Sequence, residues 1–317
     1  MIDVGDYVGF VGREYLHGYV DAGGAAVKFA VCSDDATADS CIEQLTAAAR
    51  QAGYAVALVD AAITRMHLLE QVFFDVAGQV DWDALAAEAT RAAATAAGYP
   101  PAGDGAVALD QLAAHHRVDA RELRRDIDRA LQQQVHRDYA MVSEFRTAML
   151  RLCQAQLRAG QVSEAEHAAV LDWLHGNLRQ ISALKSALIF RRIGRHNARL
   201  LLFSLAHWLA VNGHAGLVLV LDVRRFGFAR RPSPEERHGH YYTRAALIDA
   251  YEVLRQLVDN TDELANCFVA VVTSPAFVTD TGRGLDAYQA LKLRVFDEVR
   301  DKERDNPFSS LLRLGAS

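Results

Sequence analysis

Lysine is almost missing from this chain: of 34 Lys and Arg residues, only Lys28, Lys185, Lys292 and Lys302 are lysines. Together with the abundance of alanine, this fits the composition of a GC-rich genome. An excess of positive charge is absent too. The formal net charge of −6 argues against nucleic-acid binding by the whole surface and leaves only local patches. The four cysteines, Cys32, Cys41, Cys153 and Cys267, are too scattered for a metal knuckle or a redox pair, and predict reduced thiols in a cytoplasmic protein. There is no run of about 18 apolar residues to cross a membrane, and MIDVGDYVGF lacks the basic start and apolar core of a secretory leader. Also lacking are a Gly-x-Ser-x-Gly elbow, a Cys/His nucleophile pair and an inward carboxylate dyad. Neither His115-His116 nor His238-Gly239-His240 has a third ligand placed by spacing, so no metal is expected.

What is present is hydrophobicity in long, patterned stretches. With 51% hydrophobic residues, the 317-residue chain can bury a sizeable core. An amphipathic helix over Tyr7 to Val20, broken by Gly23-Gly24, precedes the apolar run AAVKFAV (Ala25 to Val31), which predicts a strand. Helical spacing returns over Thr37 to Ala52, and YAVALVD (Tyr54 to Asp60) predicts a second buried strand, so the two strands should be joined by a right-handed parallel crossover. Met66 to Val76 and Trp82 to Ala97 follow as helices.

The break YPPAGDG (Tyr99 to Gly105) opens a region that is helical almost throughout. Two helices meet at a turn near Val118-Asp119. Tyr139 to Arg158 is a long amphipathic helix, Ser163-Glu164-Ala165-Glu166 has the form of a capping box, and Ser182 to Arg191 and Arg195 to Val211 complete the set. Alternation then resumes: strand GLVLVLDV (Gly216 to Val223), helix Thr243 to Asp259, strand CFVAVVT (Cys267 to Thr273), helix Leu285 to Arg300. Continuous apolar strands belong to a parallel sheet covered on both faces. The predicted class is α/β, with segments 1–98 and 213–317 sharing one sheet and segment 106–212 inserted as a helical domain or lid.

The first strand-to-helix turn is where such folds hold phosphate. A phosphate loop needs glycines so that N–H groups converge, a lysine for the outer phosphates and a Ser/Thr hydroxyl for magnesium. Here the turn and first helical turns read Cys32, Ser33, Asp34, Asp35, Ala36, Thr37, Ala38, Asp39, Ser40, with no glycine, no lysine and three aspartates. The aspartates suit the positive helix end but repel a triphosphate. Asp222 closes an apolar strand as a magnesium-linked aspartate does, yet Val223 follows it where a water-activating glutamate is usual. Thr273 ends the next strand in the manner of a phosphate sensor, and Arg283 and Arg294 are candidates to reach an anion or a neighbouring subunit. Arg224, Arg225, Arg230, Arg231, Arg237 and Arg244, interleaved with His and Tyr, form a patch suited to a nucleic-acid or protein partner. A second basic cluster runs from Arg191 to Arg199.

Three segments carry a family resemblance: Arg13-Glu14-Tyr15-Leu16 through Gly23-Gly24-Ala25-Ala26-Val27-Lys28-Phe29; Gly216-Leu217-Val218-Leu219-Val220-Leu221-Asp222; and Arg283-Gly284-Leu285-Asp286-Ala287-Tyr288 through Leu291-Lys292-Leu293-Arg294. In these the chain resembles the ATP-binding proteins of bacteriophage-exclusion (BREX) defence loci, a P-loop group of AAA+ type. The resemblance implies a P-loop NTPase fold, an anti-phage setting, and partners among other defence proteins, helicase-like or ATPase subunits included. Self-association stays open. Against that family pattern, Cys32 replaces the first glycine, and Thr37, Ala38 and Asp39 replace Gly, Lys and Ser/Thr. The expectation is a non-hydrolysing subunit without bound cofactor. Two alternatives stand beside it: a divergent NTPase that uses ATP and magnesium, with arginines in place of the lysine, and a DNA-binding adaptor acting through Arg224 to Arg244.

Overall fold

A computed structural model of the protein describes residues 1–101, 107–228, 239–296 and 306–315. The chain divides into two compact units, Met1–Val76 with Leu209–Ser317, and Ala77–Trp208.

The first unit is built on five parallel strands: β1 (Ala25–Cys32), β2 (Ala55–Asp60), β3 (Leu217–Asp222), β4 (Cys267–Thr273) and β5 (Leu311–Leu314). Their order is β2-β3-β4-β1-β5. Every residue of β1, β3 and β4 is buried, as the unbroken apolar runs require of central strands covered on both faces. One face carries α1 (Val4–Phe10), its π-helical continuation Val11–Val20, and α2 (Asp35–Gln51), whose Cys41, Leu45 and Ala49 meet Ala26, Ala30, Val220 and Ala270. The other face carries aromatic side chains, including a Phe29–Phe277 stack at 5.7 Å and a Tyr251–Phe277 edge contact from α10 (Arg244–Asp259). The unit also contains two short helices, α11 (Ala276–Thr279) and α12 (Gln289–Val295).

Several expectations need correction. β1 and β2 are parallel, but β4 and β3 lie between them, so the β1–α2–β2 connection does not join neighbours. β2 is an edge strand and only half-buried, with Leu58 40% exposed. The helix expected over Leu285 to Arg300 begins four residues later, after a single tight turn at Leu285–Ala287, and ends at Val295, where Phe296 is extended. The strand β5 was not expected at all. Its four residues bury only alternate side chains, and pairing with β1 (Phe29 opposite Leu311, Cys32 opposite Leu314) defines it.

The second unit is helical: α4 (Trp82–Ala96), α5 (Leu109–His116), α6 (Ala120–Leu131), α7 (Ser143–Gln156) and α8 (Glu164–Leu174), with α3 (Leu69–Gly78) and α9 (Ala198–Val211) at its boundaries. This unit begins earlier than residue 106, because α4 belongs to it. Trp82 meets Phe145 edge-on at 6.1 Å, and Thr90 Oγ1 donates to Cys153 O at 3.1 Å, tying α4 to α7. Ser163 caps α8 by accepting from Glu166 N at 3.1 Å. Glu166 does not complete the box; it is buried and pairs with Arg151 at 2.5 Å. The helix expected over Ser182 to Arg191 is reduced to one turn at Ile181–Leu184. Leu188 takes a left-handed conformation (φ 60°), and Arg191 O accepts from Trp173 Nε1 at 2.9 Å, so side-chain bonding replaces the helical ladder.

Candidate functional site

The β1–α2 connection is very short. β1 ends at Cys32 and α2 begins at Asp35, so Ser33 and Asp34 alone lie between. A phosphate-cradling loop places a glycine, four further residues and Gly-Lys-Ser/Thr between strand and helix, so that several N–H groups turn inward together. Two residues leave no room for that nest. Three N–H groups here have partners. Ser33 N donates to Leu314 O at 2.9 Å, Ala38 N to Asp34 O at 3.1 Å, and Thr37 N to the capping carboxylate of Asp34 at 2.8 Å. Asp34 is held below the usual carboxylate range by these bonds from Thr37 and by Ser33 Oγ. Thr37 Oγ1 lies 3.1 Å from Ser33 Oγ, and Ser40 Oγ accepts from Gln44 Nε2 at 2.9 Å, so both hydroxyls are engaged locally. Ala36 is exposed, whereas Ala38 is buried. Cys32 is buried, and hydrogen bonding to Cys41 together with burial pushes its thiol well above the usual range, which makes it inert.

Across from this turn stands the end of β3. Asp222 is buried, its carbonyl accepts from Ala61 N at 2.9 Å, and its carboxylate meets Arg224. Arg224 Nε donates to both carboxylate oxygens, at 3.0 and 3.1 Å, and Nη2 to Oδ2 at 2.6 Å. The same guanidinium reaches α2: Nη1 lies 3.1 Å from Asp35 Oδ1, and Nη2 lies 2.8 Å from Asp39 Oδ1. Its hydrogen bonds to Asp222 first, and then those to Asp39, hold Arg224 more firmly protonated than usual. An internal cation thus stands beside the turn, bound to three carboxylates. Val223 is fully buried and its N–H donates to Val272 O at 2.9 Å, so no carboxylate follows Asp222.

The other candidates scatter. Thr273 is buried at the end of β4, opposite Val31 of β1. Arg283 donates to Phe226 O and Tyr242 O, both at 2.9 Å, and staples two backbone segments together. Arg294 pairs with Asp259 and donates to Ala290 O at 2.8 Å. Arg225 donates to His240 O at 2.7 Å and lies 4.2 Å from the Phe228 ring. Arg244 reaches Gly282 O at 3.5 Å. Arg230, Arg231 and Arg237 lie outside the described residues. The structure therefore assembles the 32–40 turn, Asp222 and Arg224 into one cluster, while Arg283 and Arg294 make structural contacts. Arg224 was expected to face a partner, and its bond to residues 189 and 185 positions away could not be read from local pattern. The only sequence signal was the pairing of Asp35 and Asp39 at i, i+4 on one helix face.

Among the described residues, no group of three or more His, Cys, Asp or Glu has the arrangement of a metal site, and no helix is long and apolar enough to cross a membrane.

The fold and the strand-end aspartate define an α/β protein of P-loop-like architecture. The family described as "BREX system ATP-binding protein BrxC/D" matches residues 106–316, the larger part of the chain. The chain belongs to that family; its setting is a BREX defence system and its partners are other proteins of that system. No curated protein and no solved structure matches it.

Proposed function

We propose that this chain is a non-hydrolysing subunit of its defence system, a pseudo-ATPase that acts as a structural or regulatory component and carries no bound ATP or magnesium. One observation supports this reading above the others: the guanidinium of Arg224 binds Asp222, Asp35 and Asp39 beside a two-residue strand-to-helix connection. Three carboxylates (Asp35, Asp39 and Asp222) bind that one guanidinium, and Asp34 stands in the same turn, so the cluster repels a polyphosphate. With Arg224 already paired, Asp222 is also a poor magnesium ligand. Lys28 offers no substitute for the missing lysine. Its Nζ donates to Phe308 O at 2.6 Å and Ser309 O at 3.0 Å, within the sheet's own framework.

Isothermal titration of the chain with ATP and magnesium, together with a phosphate-release assay, tests the proposal. No saturable heat and no released phosphate are expected. Micromolar binding with turnover, abolished by Asp222→Asn, would establish instead the divergent NTPase.

A further inference from the structure

We infer that the α5–α6 pair is a helix-turn-helix surface that binds double-stranded DNA through the exposed arginines of α6 and of the preceding turn. The inference concerns the helical unit alone and does not depend on whether nucleotide binds elsewhere.

The turn comes first. α5 ends at His116, α6 starts at Ala120, and Arg117, Val118 and Asp119 join them. Arg117 N donates to Ala114 O at 3.4 Å and Val118 N to Ala113 O at 3.1 Å, the paired bonds that stop a helix sharply with a left-handed residue. That residue is Arg117, at φ 56° and ψ 42°. Glycine is the usual occupant there, and a side chain with a Cβ is disfavoured. Arg117 occupies the position nonetheless, with its side chain exposed beside the start of α6. Asp119 then caps α6 by accepting from Arg121 N at 2.9 Å and Glu122 N at 3.2 Å. Two short helices joined by a three-residue turn match the length pattern of the motif whose second helix enters the major groove.

Second is the sorting of charge on α6. Leu123, Ile127 and Leu131 are fully buried against the bundle. Arg121, Arg125 and Arg129 recur every four residues, one row along the solvent face; Arg125 and Arg129 are 65% and 67% exposed. Two of the carboxylates, Asp126 and Asp128, are half-buried and divide their contacts between the bundle and the arginines, with Asp126 3.7 Å from Arg125 and Asp128 3.9 Å from Arg124. Asp126 accepts from Tyr99 OH at 3.4 Å, and Asp128 accepts from Gln154 at 3.2 Å and Gln161 at 2.7 Å. Glu122 remains outward, 3.6 Å from Arg125, and Asp126 lies 3.3 Å from Arg129. Exposed pairs of this kind contribute little and exchange readily for phosphate. Arg121, Arg124, Arg125 and Asp128 line an open pocket of about 340 Å³ on this face.

Duplex DNA fits this surface better than a single strand does. The helix is about 18 Å long and 10–12 Å across, and the major groove is about 12 Å wide. Single-strand binding relies on aromatic platforms, and α6 carries no aromatic residue. Arg117 and Arg121 sit where this motif's turn and leading helical turn contact phosphate and base edges.

The test uses the full chain and a fluorescent random-sequence duplex of about 20 base pairs, two helical turns, titrated at several salt concentrations. The expected result is salt-dependent binding that weakens at least about tenfold at about 50 mM salt in the Arg121→Ala/Arg125→Ala/Arg129→Ala variant, with the slope of log K against log salt shallower by about 0.9 for each phosphate that is no longer neutralised. Arg117→Gly supplies the arm that does not threaten folding, since glycine accepts the left-handed turn. Its thermal midpoint should equal or exceed that of the parent while duplex affinity falls. Absence of duplex binding at low salt would overturn the inference, as would equal affinity for a single strand, or affinity unchanged in both variants.

Discussion

Arg224 turns back on Asp222, two residues earlier, and holds it through three hydrogen bonds between 2.6 and 3.1 Å while the same guanidinium reaches Asp39 at 2.8 Å. The strand end that would anchor magnesium in a hydrolase is here joined to the first turns of α2 by a side chain of the protein itself. An arginine suits this position because its planar fork engages both oxygens of Asp222 and still has donors for the α2 carboxylates, a bidentate geometry that an ammonium does not offer.

Removing that side chain should therefore be costly. Arg224→Ala leaves Asp222 buried without a counter-charge and brings no replacement for Asp35 and Asp39. A loss of about 2–4 kcal/mol is expected in urea unfolding. Asp39→Ala should cost less than about 1 kcal/mol, because Asp39 is 69% exposed. Equal losses for the two variants would show that Asp222 is not the partner that matters.

A backbone constraint governs how β3 enters the sheet. Gly216 has φ 144°, and a Cβ there would lie 2.1 Å from Asn266 O, whose carbonyl accepts from Leu217 N at 2.8 Å. The clash is with backbone that is itself fixed by sheet pairing, so nothing can swing aside. Gly216→Ala should destabilise by roughly 2–4 kcal/mol, measured as a lowered urea midpoint, whereas Gly12→Ala, with open space around it, should not.

These cases mark what local pattern carries and what it does not. β4 occupies the run Cys267–Thr273 that the apolar stretch predicts, because a strand covered on both faces has no polar positions to blur its ends. β5 left no such trace: four residues with alternate burial owe their conformation to β1 and to a bridge from Ile2 to Leu314. The same holds for the site. The lack of glycine and lysine after β1 is visible in residue types alone, but the identity of the cation that meets Asp222 follows from long-range folding. Arg283, Arg225 and Arg244 look alike in sequence and differ from Arg224 in what folding brings within reach, backbone carbonyls for them and carboxylates for Arg224.

Glu252 ties α10 to Tyr288, the residue just before α12. It accepts from Arg255 Nη2 at 2.6 Å, Gln256 Nε2 at 2.9 Å and Tyr288 OH at 2.6 Å. Arg255 chiefly, with Tyr288 and Gln256, lowers its carboxyl to about 2. Because the folded value lies below the unfolded one, the stabilisation is complete above about pH 4.3 and is lost as the pH falls toward 2. Glu252→Gln should cost about 0.5–1 kcal/mol at pH 7, a modest figure because the side chain is partly solvated. The gap between variant and parent should close on acidification; a gap independent of pH would assign the effect to packing instead.

Lys28 gives a dependence of the same sign in an alkaline window. It sits in the middle of β1, 5% exposed, with Nζ donating to Phe308 O and Ser309 O and lying 4.8 Å from the centre of the Tyr15 ring. Neutral carbonyls and a ring replace water only in part, and burial lowers its ammonium to about 8. The unfolded chain binds this proton up to about pH 10.4, so between 8 and 10.4 the unfolded state holds more protons than the folded state. Stability contributed by this residue must then rise with pH across that window, by on the order of 2 kcal/mol after allowance for solvent screening. Other lysines and tyrosines titrate there too, so the quantity to measure is the difference in unfolding free energy between the parent and Lys28→Met from pH 7 to 10. That difference should shift in favour of the parent as the pH rises. A constant difference would mean that the two carbonyls and the Tyr15 ring compensate the buried charge in full, and that Lys28 remains protonated in the folded protein throughout.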